Sequence, residues 1–422
     1  MWAVLGNPTF ARLFAAQVVA LLGTGLLTVA LGLLAYDLAG SGAGAVLGTA
    51  LAVKMVAYVV VAPVISAVAY RVSRRRLLVG SNVVRAAIAL LLPLVDATWQ
   101  IYVLIFVLQA ASATFTPAFQ SVIPAVLVEE DEYTRGLSLS RLAYDLESLC
   151  SPVIAAALLS VMTYNGLFMG TVVGFAASAV LVLSTALPAV TGQQVSESLW
   201  RRTTSGARVM FVRPVLRSLL ALNMVVAAAT GLVVVNSVVY VHDVLNASST
   251  MLAVLLACYG GGSMMIALSV PTLLRRVADR QVMLTGAAVI PVALAGTAVL
   301  LTGDPSPMIG WAFFVAVWLL MGAATSLINT PAARLLRYEN HEENLGAVFT
   351  AQFSLSHACF FVTYLLAGWL GVAAGQPVAA GVLAALAATA GVLAARTWPS
   401  ERGRITEPRS GRSDRRLKAV SR

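Results

Sequence analysis

Residues Leu13–Ala35 read LFAAQVVALLGTGLLTVALGLLA, a run without one Asp, Glu, Lys or Arg. As a helix rising 1.5 Å per residue this run is about 35 Å long, enough to cross a hydrocarbon core of ~30 Å. Ala86–Val95, Leu149–Ser196 and Val282–Gly303 are uncharged in the same way. Of the 422 residues 59% are hydrophobic and 11% charged, whereas soluble domains carry about 25% charged residues. A chain this poor in charge cannot cover a water-facing surface of the size its length requires, so soluble folds are excluded.

Working outward from that run, membrane-spanning helices are expected at 13–36, 46–70, 77–96, 100–127, 138–163 and 166–188. A second set is expected at 215–241, 249–273, 281–302, 307–331, 344–370 and 375–396. The connections are short and rich in turn residues, as in Gly40–Gly44, Asn165-Gly166 and Gly303-Asp304-Pro305. The reading is an all-α polytopic membrane protein, with twelve transmembrane helices in two pseudo-symmetric six-helix bundles and both termini cytoplasmic.

The basic residues test that count, because cytoplasmic loops are enriched in Lys and Arg. With the N-terminus inside, Arg12, the loop bearing Arg71, Arg74, Arg75 and Arg76, and Arg135 fall on the inner side. So do Arg201, Arg202, Arg208, Arg213, Arg275, Arg276, Arg280, Arg334 and Arg337. The connections assigned outside hold no Lys or Arg, and the charges in or beside them are Asp37, Asp96, Asp243 and Asp304. The formal net charge of +10 therefore reports basic inner loops, not nucleic-acid binding. Half of it comes from residues 397–422, whose Pro, Gly and Ser mark a disordered basic tail, a solvated end or one lying on anionic headgroups. The first apolar run is too long for a signal-peptide core, so no cleavable leader is expected. Cys150, Cys258 and Cys359 fall inside expected helices, so no disulfide framework follows. The three His are too scattered for a metal site, and no cofactor is expected.

Residues 189–214 form the longest internal connection and divide the chain into a bundle over 1–188 and another over 215–396, with the tail at 397–422. The halves share weak repeats. Arg71-Val72-Ser73-Arg74-Arg75-Arg76 follows the second helix of one half, and Arg276-Val277-Ala278-Asp279-Arg280 that of the other. Thr116-Pro117-Ala118 and Thr330-Pro331-Ala332 close the fourth helices, each followed by an acidic turn, Glu129–Glu132 and Glu339–Glu343.

On these features the chain resembles the major facilitator superfamily from residue 1 to about 396. The loop Arg71–Arg76 with Leu77-Leu78-Val79, the intramembrane Arg85 and the stretch Thr116–Pro124 resemble the bacterial drug:proton antiporters. The nearest branch holds macrolide, tetracycline and enterobactin exporters. Departures are Ser66 and Tyr70, where the family loop has Gly and Asp, and Ser151-Pro152-Val153-Ile154-Ala155-Ala156, where its fifth helix has Gly-Pro-x-x-Gly-Gly. The resemblance implies alternating access about a central site between the halves.

Ionisable groups at membrane depth are costly and functional by default. Lys54, Arg85, Arg141, Asp145 and Glu147 lie inside expected helices, and Asp37 caps the first. They form either a gating ion network or, through Asp37, Asp145 or Glu147, a proton-coupling site; the loop Arg71, Arg74, Arg75 and Arg76 belongs to the cytoplasmic gate. Gln109, Asn223, Asn236, Gln352, His357 and Tyr364 either line the cavity or hold helices together. Gly23, Gly25 and Gly260–Gly262 read as close helix contacts. No nucleophile–base pair suggests an enzyme. The expectation is a monomeric efflux carrier in a bacterial cytoplasmic membrane, driven by protons, surrounded by lipid and exporting a small amphipathic compound. A nickel-type metal exporter, a lysophospholipid flippase, an importer of the same fold and a non-transporting sensor stand as alternatives.

Overall fold

The computed structural model describes residues 2–69, 72–187, 199–303, 306–339 and 342–399. In chain order the α-helices are α1 (Pro8–Ala39), α2 (Ala43–Ala69), α3 (Arg74–Leu91), α4 (Thr98–Val126), α5 (Glu130–Leu159) and α6 (Tyr164–Leu183). They continue as α7 (Leu199–Val212), α8 (Pro214–Val239), α9 (Ser249–Leu273), α10 (Asp279–Thr302), α11 (Pro307–Tyr338), α12 (Glu342–Ala373) and α13 (Gln376–Thr397). Local chemistry sets several starts. The Asn7 side chain accepts from the Thr9 and Phe10 amides to cap α1, and proline opens α1, α8 and α11, where its missing N–H costs nothing.

Ten stretches of the described residues are long and apolar enough to cross a membrane. The first, Pro8–Tyr58, takes in both α1 and much of α2, whereas α5 contributes only the shorter apolar run Cys150–Leu159. The reason is composition: the N-terminal part of α5 carries Glu130, Asp131, Glu132, Arg135, Arg141, Asp145 and Glu147. Residues 189–214 also contain structure where only a polar connection was expected. Helix α7 turns Met210 fully inward and leaves Arg208, Phe211 and Val212 exposed, an amphipathic pattern that packs along α12.

Helices α1–α6 pack as α1 on α5 and α6, α3 on α4 and α6, and α2 on α4; α8–α13 repeat this with α8 on α12 and α13, α10 on α11 and α13, and α9 on α11. Between the sets, α2 lies on α12 and α5 on α9, with α8 touching α1 and α2. Small residues allow the closest approaches: a methyl group on Gly23 would lie 3.6 Å from the Gly174 Cα. The second set is fastened by fully buried Tyr240, Phe314 and Trp318. Phe314 stacks on Tyr240 and meets Trp318 edge-on, with centroids 5.2 Å apart in each pair, and the Trp318 indole N–H donates to Ser237 Oγ at 2.9 Å.

The two sets meet closely at the end carrying the α1–α2 turn. A methyl group on Gly48 would lie 3.2 Å from the Gly368 Cα and against the Tyr364 carbonyl oxygen. One on Gly368 would lie 3.1 Å from the Ala45 Cα. These are backbone atoms that cannot swing aside, so α2 and α12 can touch there only because glycine has no side chain. Asn236 clamps the same end, donating to the Ala367 carbonyl at 3.0 Å and to Gln376 Oε1 at 2.7 Å.

Candidate functional site

Lys54 and Tyr58 stand one turn apart on α2 and so share a face. Lys54 is eleven residues into α2, roughly 16 Å along the helix axis, yet it is only half-buried. The side chain is thus both deep along the helix and partly accessible. Its electrostatic partner is Glu147 of α5, also half-buried. Glu147 backs onto α1, where a methyl group on Gly25 would lie 2.8 Å from Glu147 Oε1. Gly25 thus makes room for a carboxylate as well as for a helix.

Arg85 of α3 is 4% exposed. Its guanidinium is held between the rings of Phe115 and Phe175, 4.5 and 4.4 Å from their centroids, and donates to the Asn82 side-chain oxygen. Asn82 in turn donates to Ser178 Oγ at 2.8 Å, which fixes the set to α6. Two aromatic faces stabilise a cation by cation–π attraction, of order 2 kcal/mol when desolvated. Among the described residues the groups against Arg85 are thus two rings and an amide, while Glu147 lies in the field of Lys54. Tyr58 lies in the fields of Tyr144, Arg85 and Glu147.

The opposite half reaches this cluster through α12. The His357 ring lies 5.7 Å from the Tyr58 ring and 3.9 Å from the Phe353 ring. Its Nδ1 is 2.7 Å from the Phe353 carbonyl oxygen; a carbonyl only accepts, so Nδ1 carries the proton and Nε2 is left as an acceptor. Lys54 also acts electrostatically on His357. A turn away, Gln352 donates to Asn223 Oδ1 at 3.1 Å, joining α12 to α8. Cation, carboxylate, phenol and imidazole from α2, α5 and α12 therefore converge where the halves meet, with acceptors and donors for a polar group and aromatic faces for an apolar one.

The other expected residues lie elsewhere. Gln109 is buried in α4 and Tyr364 in α12 against Gly48. Asn236 is fully buried at the glycine crossing. Asp37 is exposed and accepts from the Tyr164 hydroxyl at 2.6 Å. Arg75 donates to the Leu183 carbonyl at the far end of the molecule, where Arg74 and Arg76 also start α3. Arg71 lies outside the described residues, as do the side chains of Arg141 and Asp145. Tyr58, Tyr144, Asn82 and Phe353 were missed from sequence. The available signal was helical spacing, Tyr58 at i+4 from Lys54 and Asn82 at i−3 from Arg85.

Two six-helix sets with repeated packing, meeting around buried charge, define a class of polytopic membrane protein. The Major Facilitator Superfamily sequence profile matches residues 13–352, and the chain belongs to that family. It is 26% identical to Macrolide efflux protein A of Streptococcus pyogenes over 184 residues, 42% of this chain and 45% of that protein. It is 27% identical to Macrolide efflux protein A of Enterococcus faecalis over 136 residues, 31% of this chain and 42% of that protein. The matches thus span less than half the length of these relatives. Among solved structures, a mutant of the nucleoside transporter NupG superposes with a TM-score of 0.74 at 15% identity, covering 93% of this chain and all (100%) of that one. A POT family transporter in complex with a thioalcohol-conjugated peptide superposes with a TM-score of 0.73 at 11% identity, covering 94% of this chain and 96% of that one. These two likenesses establish the fold.

Proposed function

We infer that the chain exports a small amphipathic compound across a bacterial cytoplasmic membrane in exchange for protons, by alternating access between bundles 1–188 and 215–396. The observation that carries this reading is the His357 ring of α12 lying 5.7 Å from the Tyr58 ring of α2, on the helix face that also carries Lys54, with Glu147 of α5 within electrostatic reach of Lys54. A titratable carboxylate at membrane depth, partly accessible and in the field of a cation, is what proton coupling requires. Family membership and the partial similarity to macrolide exporters support the direction and the kind of cargo. In this reading α1–α6 and α8–α13 make twelve crossings with both termini inside, and α7 lies on the inner face. The glycine crossing of α2 and α12 then closes the outer end, so the conformation is inward-facing.

The decisive experiment is a drug accumulation and resistance panel in an efflux-deficient bacterial host. Expression is expected to lower accumulation of at least one amphipathic drug severalfold, and a protonophore to restore it. Unchanged accumulation across the panel, or export indifferent to the protonophore, would exclude the reading. Orientation has its own check. A reporter active only in the cytoplasm is expected to work after Arg422, and one active only in the periplasm after Gly303. The reverse pattern would refute the twelve-crossing topology.

A further inference from the structure

Opposite the inner face, α1 and α8 meet through a second polar cluster. The Tyr36 hydroxyl of α1 donates to the Asp243 carboxylate, and the Tyr36 ring stacks on His242 with centroids 4.4 Å apart and planes at 23°. His242 and Asp243 belong to a wide π-helical turn, Tyr240–Val244, that ends α8. Such turns are rare and recur at functional positions. Here the turn is anchored by fully buried Tyr240 and Val241 and carries the next two side chains to α1. Tyr36 is itself held in place, because its neighbour Asp37 accepts from Tyr164 of α6.

The His242 Nε2 atom is shielded from water and has no hydrogen-bond partner. A neutral ring tolerates that position. A protonated ring there carries an N–H with neither acceptor nor hydration, and a buried charge without either is strongly disfavoured. The titratable groups around the ring are Tyr36 and Asp37 on α1, Tyr164 on α6 and Asp243 beside it; the opening residues of α9, Ser249-Thr250-Met251, carry none. Asp243 is exposed, so water screens its attraction for a protonated ring. Parting α1 from α8 would let water reach Nε2.

We propose that Tyr36, His242 and Asp243 form a proton-released latch between the first helices of the two halves, closed while His242 is neutral and freed when His242 takes up a proton. The proposal rests on the alternating-access reading for its purpose, since external acid would then favour the outward-open state that loads protons. Its geometry and its test do not depend on transport.

The test places spin labels in the exposed turns that follow the two helices, at Ser41→Cys and Ser248→Cys, with Cys150, Cys258 and Cys359 changed to Ala. Distances are read in detergent, where pH acts on both ends alike, so failed transport leaves the measurement valid. Between pH 8 and pH 5 the long-distance population is expected to grow, by at most about tenfold per pH unit for one proton. His242→Phe keeps the stack but cannot be protonated, and its distances are expected to stay short throughout. Tyr36→Phe, which loses the hydroxyl bond, is expected to raise the open population at every pH while keeping the slope. A pH response in His242→Phe equal to that of the parent overturns the proposal. So does a response abolished by Asp243→Asn but intact in His242→Phe, which would put the proton on the carboxylate.

Discussion

Glu147→Gln is expected to abolish uphill efflux while leaving substrate exchange at equal pH measurable. The carboxylate is the electrostatic partner of Lys54 inside the protein. Neutralising it leaves a cation without compensation, a change worth about 3–5 kcal/mol for a fully buried pair. Both groups are half-buried, so the lower end applies. About 3 kcal/mol is roughly a hundredfold change in an equilibrium, enough to trap one of two states separated by a few kcal/mol. Proteoliposomes with an imposed pH gradient measure uphill transport, and counterflow of labelled substrate measures exchange. The double variant Lys54→Met/Glu147→Gln removes the stranded charge, so counterflow is expected to recover further while the gradient still drives nothing. Full uphill transport in Glu147→Gln would remove this pair from the coupling.

Gly48→Leu is expected to hold open the end that the proposed topology places outside. The Gly48 position faces the Gly368 Cα and the Tyr364 carbonyl, and backbone cannot yield to an isobutyl group as a flexible side chain would. Overpacking costs about 1–3 kcal/mol, which favours separation of α2 from α12 by about 5- to 150-fold. The readout is labelling of Ala367→Cys, a site fully buried at this crossing, by an impermeant maleimide added outside. Labelling is expected to accelerate by that factor in Gly48→Leu, and transport to fall with it. Gly80→Leu is the control, because nothing lies within 4 Å of that position. Equal labelling in Gly48→Leu and in the control would show that this crossing does not close the end.

Both predictions concern residues whose types were conspicuous in the sequence but whose partners were not. The apolar runs, their lengths and the distribution of Arg are local properties, and a bilayer acts on them locally. Any backbone crossing it must satisfy its own hydrogen bonds within a helix. The helical fold and the place of most helices were therefore legible in the sequence. Helix α5 is a partial exception: it begins at Glu130, well before the expected 138, because an acidic first turn favours a helix start that hydropathy disregards.

Pairing between helices was not legible. Lys54 and Glu147 are far apart in sequence, and each on its own helix reads only as an isolated charge. Nothing in local composition says that Glu147 of α5 comes into the field of Lys54 on α2, nor that Arg85 lies between two phenylalanine faces. Asn236 and His357 looked alike as buried polar residues, yet one clamps the glycine crossing and the other stands beside Tyr58. Spacing along the sequence specified which residues share a helix face, because the helix repeat is fixed by the backbone. Which face meets which was decided by packing of whole helices, where the small residues Gly23, Gly25, Gly48 and Gly368 let particular pairs approach and larger residues kept others apart.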